Sequence, residues 1–126
     1  MRLNLSVPAP PEGWNALTDP AVLAASIPGC RSVTPGPDGL RLVVDVAVAA
    51  VRGLWAGTVV PVDADAVRIA GSGEPGTVDV VVRADPDRTT LTVEGTVDGP
   101  LAAVGSTLLA AAVRRLATDT LVRAGR

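Results

Sequence analysis

In Leu40-Arg41-Leu42-Val43-Val44-Asp45-Val46-Ala47-Val48, every second residue is a large aliphatic. A period of two turns successive side chains to opposite faces, so this stretch reads as a strand with one buried face. The pattern recurs downstream. Trp55, Gly57 and Val59 alternate with Ala56, Thr58 and Val60, and Val67, Ile69 and Gly71 alternate with Arg68, Ala70 and Ser72. Val78, Val80 and Val82 form a further row, and Leu91, Val93, Gly95 and Val97 another. Turn chemistry separates the runs: Pro37-Asp38-Gly39, Asp63-Ala64-Asp65, Glu74-Pro75-Gly76 and Asp85-Pro86-Asp87-Arg88. Short strands at even spacing joined by tight turns predict an antiparallel meander with one apolar and one polar face.

Outward from the meander, the N-terminal side changes character. Leu3, Leu5 and Val7 alternate with polar residues and predict a first strand, which Pro8, Pro10 and Pro11 end. A short helix is expected from about Pro10 to Leu17, with Trp14 and Leu17 on one face. A second is expected from Pro20 to about Ser26, with Asp19 as its cap and Ile27-Pro28-Gly29 as its stop. On the C-terminal side, Asp98-Gly99-Pro100 suits a helix start. Leu101, Val104, Leu108, Leu109, Ala112, Val113 and Leu116 then make a broad apolar surface, so one long helix is expected to about Val122. Arg114, Arg115 and Arg123 fall in its second half, where cations suit the helix dipole. The expected fold is α+β: a curved antiparallel sheet, two short helices after its first strand, and a long terminal helix packed across the concave face. Such an arrangement offers a natural ligand cavity between sheet and helix.

Composition narrows the chemistry. The 126 residues suit a single domain spanning 1–126, and 48% hydrophobic content is enough for a core. A net charge of −2, with 19% charged residues, argues against nucleic-acid binding. The chain has no His, so the commonest general base and nitrogen metal ligand are missing. Its one Cys, Cys30, makes neither an internal disulfide nor a two-cysteine metal site. No apolar run reads as a signal peptide or a membrane span, and a cytoplasmic location is expected.

The singled-out residues mostly read as structure. Cys30 has no activating neighbour in sequence and reads as an inert, partly buried thiol. Asp45, Asp79 and Glu94 sit in the polar register of their strands and read as a solvated face, not a catalytic carboxylate pair. Asp63-Ala64-Asp65 lacks the further oxygen ligands of a calcium loop and reads as a turn. The Gly-rich stretch 71–76 leads into no helix, so it reads as a hairpin and not a phosphate cradle. Gly57, Gly71 and Gly95 lie on apolar faces and either permit curvature or leave space for a ligand. Trp14 reads as core packing, while Trp55 falls in the apolar register, facing the expected cavity.

Several segments, in order, resemble one known family. Val7-Pro8-Ala9-Pro10-Pro11-Glu12-Gly13-Trp14, Leu17-Thr18-Asp19-Pro20 with Leu23-Ala24, and Ile27-Pro28-Gly29-Cys30 resemble the opening of the carbon monoxide dehydrogenase G-subunit family. Val51-Arg52-Gly53-Leu54-Trp55-Ala56-Gly57, the Gly71-Ser72-Gly73 strand end and Gly99-Pro100-Leu101-Ala102-Ala103-Val104-Gly105-Ser106 agree with it. That family lies in the START-like (SRPBCC) helix-grip superfamily, and the resemblance implies a sheet of about seven strands. It also implies an accessory role beside a molybdenum hydroxylase, handling of a quinone or lipid-like ligand, and peripheral membrane association at the inner face. No catalytic residue, metal or cofactor of its own is expected.

The cavity lining expected from strand register is Trp55, Val59, Ile69, Val80, Val82, Leu91 and Val93, with Val104, Leu108 and Ala112 from the helix. Ser106 and Thr107, early in the last helix, are the polar groups expected nearest the cavity, where a hydroxyl either orients a carbonyl-bearing ligand or bonds back to its own helix. Two other functions use the same fold: a polyketide cyclase or aromatase, which needs polar groups turned inward, and an interaction module with a filled core.

Overall fold

The computed structural model describes residues 1–8, 19–27, 29–48, 50–87, 89–105, 107, 110–111 and 114–115. Its strands are β1 (Arg2–Pro8), β2 (Cys30–Pro35), β3 (Leu40–Val48), β4 (Val51–Asp63), β5 (Ala66–Gly73), β6 (Gly76–Ala84) and β7 (Thr90–Asp98). The helices are α1 (Pro20–Ser26) and α2 (Pro100–Ala103). All seven strands form one antiparallel, curved sheet in the order β1-β7-β6-β5-β4-β3-β2. From β2 to β7 it is a plain meander, and β1 joins the far edge.

That placement of β1 follows from its side chains. Leu3, Leu5 and Val7 are buried, while the residues between them are exposed. A strand with one fully buried face needs a neighbour, and β7 has the free edge of the meander. The pairing sets Leu3 opposite Gly95, Leu5 opposite Val93 and Val7 opposite Leu91. On the next strand Val80, Val82 and Ala84 continue the same three rows. Buried residues from β1, β3, β4, β5, β6 and β7, together with Leu101 of α2, form one apolar cluster.

The predicted period-two rows match the observed burial. In β7, Leu91, Val93 and Val97 are buried and Gly95 half-buried, while Glu94, Thr96 and Asp98 are exposed. The predicted turns also form. Asp85 closes the β6–β7 turn by accepting hydrogen bonds from the backbone N–H of Thr89 and Thr90 at 2.8 and 3.1 Å. The alternation does not reveal β2, whose only large aliphatic is Val33. A register shift between Cys30 and Ser32 interrupts its pattern, and as an edge strand it needs little apolar surface.

Helix α1 has the predicted limits, and Asp19 Oδ1 caps it by accepting the Ala21 N–H at 3.0 Å. It packs on β2. The other short helix, expected at about 10–17, lies outside the described residues.

The single long helix expected from Leu101 needs correction. α2 stops at Ala103, and Gly105 takes a φ of 101°, a conformation that ends a helix. Thr107, Ala110, Ala111, Arg114 and Arg115 are helical again, and the residues between and after them lie outside the described set. Ala110 packs against the apolar cluster, so this segment meets the sheet on the expected side. The start of α2 is tied to the β5–β6 turn by a 2.9 Å hydrogen bond from the Leu101 N–H to the Pro75 carbonyl. Gly99 makes that approach possible, since a Cβ there would lie 2.9 Å from Gly76 Cα.

Leu5 is 5% exposed and touches both β7 and the core, so Leu5→Ala is expected to destabilise the fold by about 2–5 kcal/mol. Ser6→Ala, on the opposite face of the same strand, should change stability by less than about 0.5 kcal/mol. Urea unfolding of the two variants measures the difference.

Candidate functional site

The inner face of the sheet carries the candidate site, and Trp55 is its largest side chain. Strand β4 turns Trp55, Gly57 and Val59 inward, opposite Val44, Leu42 and Leu40 of β3 and opposite Gly73, Gly71 and Ile69 of β5. The indole lies over bare backbone. A Cβ on Gly57 would come 2.3 Å from Trp55 Cη2, and one on Gly71 would come 2.6 Å from Trp55 Cζ2. Both distances are far inside van der Waals contact, so no other residue fits at either position with the ring where it is. Trp55 and the neighbouring backbone share the space that these glycines leave: a Cβ on Gly57 would also lie 2.6 Å from the Ala70 carbonyl oxygen, and one on Gly71 2.3 Å from the Ala56 carbonyl oxygen. At Gly95 too the missing Cβ makes room for neighbouring backbone, here Asp79 and Val80 on β6.

Around this floor the expected lining residues stand on the inner face. Trp55, Val59, Val80, Val82, Leu91 and Val93 are buried, and Ile69 is half-buried against them. Val104, just after α2, is half-buried, and Thr107 is helical and exposed. Ser106, Leu108, Ala112 and Trp14 lie outside the described residues. The sheet half of the lining is one contiguous apolar surface, and the helix half is represented by Leu101, Val104 and Ala110.

One polar group interrupts the apolar surface. Trp55 Nε1 is buried and has no hydrogen-bond partner among the described residues. Withholding a donor from both water and protein costs about 1–3 kcal/mol. Sequence reasoning placed the ring inward and missed the orphaned N–H. The available signal was the register, which sets only Gly57, Gly71 and Gly73 beside the indole on its own side of β4 and β5, none with a side chain to accept from it.

The charged residues of the strands lie on the opposite face or at strand ends. Arg68 grips Asp79 through two hydrogen bonds of 2.8 and 2.6 Å, and these hold the Asp79 carboxyl below its usual range. Asp45 pairs with Arg31 at 3.3 Å, and Glu94 is exposed. These carboxylates are engaged in exposed ion pairs or open to solvent, as the polar register implied. Asp63 accepts the Asp65 N–H at 2.8 Å and pairs with Arg83 at 3.1 Å. The Asp65 backbone bond, then Arg83, lowers its pKa, and the segment is a turn. Among the described residues no three His, Cys, Asp or Glu side chains gather as metal ligands would. No helix among them is long and apolar enough to cross a membrane.

Cys30, at the β2 edge, is half-buried, with its thiol 3.6 Å from the Ser32 carbonyl. Desolvation raises its pKa, outweighing the backbone hydrogen bond that lowers it. A raised value keeps the thiol protonated and slow to react. The rate of alkylation by iodoacetamide, followed against pH, should inflect above the value of about 8.5 for a free cysteine. An inflection below that value would show an activated thiol.

Comparison with known proteins adds the following. Residues 4–123 match the family model described as the G subunit of carbon monoxide dehydrogenase (CoxG). No curated protein sequence matches the chain significantly. Among solved structures, a conserved protein from Geobacillus kaustophilus superposes with a TM-score of 0.74 at 26% identity, covering 98% of this chain and 90% of that one. A hypothetical protein from Sulfolobus tokodaii gives 0.61 at 19% identity, over 98% of this chain and 93% of the other. An aromatase/cyclase from a Streptomyces species gives 0.61 at 19% identity, over 98% and 89%. At such identities the last two show a shared helix-grip-like fold and nothing of function.

Proposed function

Because the chain belongs to the carbon monoxide dehydrogenase G-subunit (CoxG) family, we propose that it is an accessory protein whose inner sheet face holds an apolar, quinone-like or lipid-like molecule in support of a molybdenum hydroxylase. The observation that carries this reading is the inner face itself. From β1 to β3 it is lined by aliphatic side chains, glycine and one tryptophan, and among the described residues it carries no charged side chain. Such a surface supplies contact area and excludes water. Burying about 200 Å² of apolar ligand surface contributes about 5 kcal/mol before the costs of association are subtracted. On this reading the domain spans 1–126, acts without metal or cofactor of its own, and works in the cytoplasm or peripherally at the inner face of a membrane.

A second reading, an enzyme of the cyclase or aromatase kind, draws on the structural similarity to an aromatase/cyclase. Chemistry on a bound chain needs acids, bases or donors aimed at reacting atoms. Among the described residues the inner face offers a single orphaned N–H, which orients a ligand and transfers no proton. Holding is favoured over catalysis on that ground.

Native mass spectrometry of protein purified from its own source, with organic extraction, tests the proposal. A quinone or lipid near one per chain is the expected result. Trp55→Ala should lower that occupancy at least severalfold with the chain still folded. An empty chain that also takes up no added quinone or lipid would overturn the ligand-holding role.

A further inference from the structure

We infer that Trp55 Nε1–H is the polar anchor of this face, and that the ligand is a flat apolar molecule bearing a neutral acceptor oxygen, as in a ketone, quinone or ester, and not a free carboxylate. The inference rests on the ligand-holding reading above and sharpens it. Trp55 is 6% exposed, and its Nε1 is shielded from solvent with no partner among the described residues. Indole is a donor only, so the group that completes it must accept. Nε1 is two bonds from Cζ2, the atom that lies over Gly71, so the donor sits at the glycine floor of the face. A planar molecule settling beside the ring finds an aromatic neighbour and one unsatisfied donor.

Charge decides between kinds of acceptor. A carboxylate brought onto this face would lose its hydration and needs a cation in return. Among the described residues every Arg side chain is exposed: Arg68, Arg83 and Arg31 are held in ion pairs by Asp79, Asp63 and Asp45, and the N-terminal ammonium is bound by Asp98 and the Val97 carbonyl. A carbonyl oxygen needs only the N–H. Entry requires the side chains that shield Nε1 to part, after which the hydrogen bond is made in a water-poor setting where it is strongest.

The test uses the full chain and three probes of one shape: 9-fluorenone, fluorene and fluorene-9-carboxylate. Isothermal titration gives the affinities, and the ¹⁵N–¹H spectrum follows the indole resonances, with Trp55→Phe identifying the one that belongs to Trp55. Fluorenone is expected to bind at least about fivefold more tightly than fluorene, the worth of one neutral hydrogen bond, and the carboxylate most weakly. Only fluorenone should move the Trp55 indole proton downfield. Trp55→Phe keeps an aromatic ring and removes the donor, so it should abolish the preference for fluorenone over fluorene, whatever the change in affinity common to both. Equal binding of fluorenone and fluorene to the native chain, or a preference that survives in Trp55→Phe, overturns the anchor and leaves the apolar face standing. Tightest binding of the carboxylate overturns the neutral-ligand claim. Failure of all three to bind overturns the reading of the face as a binding surface, and the anchor with it. If Trp55→Phe does not fold, the affinity order and the indole shift in the native chain decide.

Discussion

A sheet with one apolar face has to be covered, and that constraint organises this protein. Nearly every buried side chain of the strands stands on the same side of a single seven-stranded sheet. Burial of that side is the main favourable term in folding. The first strand, the break at Gly105 and the packing of Leu101 and Ala110 all answer to it. β1 carries three buried aliphatics and finds the edge left by β7, so the first and last strands of the chain become neighbours. The connection from β1 to β2 must then run from one edge of the sheet to the other, and α1 lies on that path against β2.

The two faces differ in chemistry. Outside, arginines and aspartates pair across neighbouring strands in geometries open to solvent, where such pairs add little to stability. Inside, the floor is built from a large ring laid over residues that have no side chain. Neither part of that arrangement is useful alone. Glycines in a strand weaken it, and an indole without a trench cannot lie close to the sheet. Together they form an apolar floor in which, among the described residues, the Trp55 Nε1–H is buried without a partner.

Family membership and the inner face meet at that point. The family match covers residues 4–123 and makes an accessory role the natural frame. On the proposed reading, a chain without histidine contributes by holding a molecule and not by transforming it. The similarity to an aromatase/cyclase, at 19% identity, belongs to the fold and carries no function across.

Much of this was legible in the chain. Period-two alternation in β1 and β3 to β7 identified which side chains are inward, because strand geometry leaves no third option. Asp19-Pro20 marked the start of α1 through local capping chemistry. The carboxylates of β3, β6 and β7 declared their exposure by register alone. Other features were decided only by the tertiary structure. Whether β2 is a strand depended on an edge of β3 being free, since its own alternation is broken by a bulge. Whether Gly105 continues or ends a helix depended on its φ, which the apolar spacing around it does not encode. The trench under Trp55 required Gly57 and Gly71, which lie on different strands, to fall opposite one another. The unpartnered N–H followed from that meeting. A hydrogen bond that is missing is a property of everything around the donor, and no local stretch of sequence contains that information.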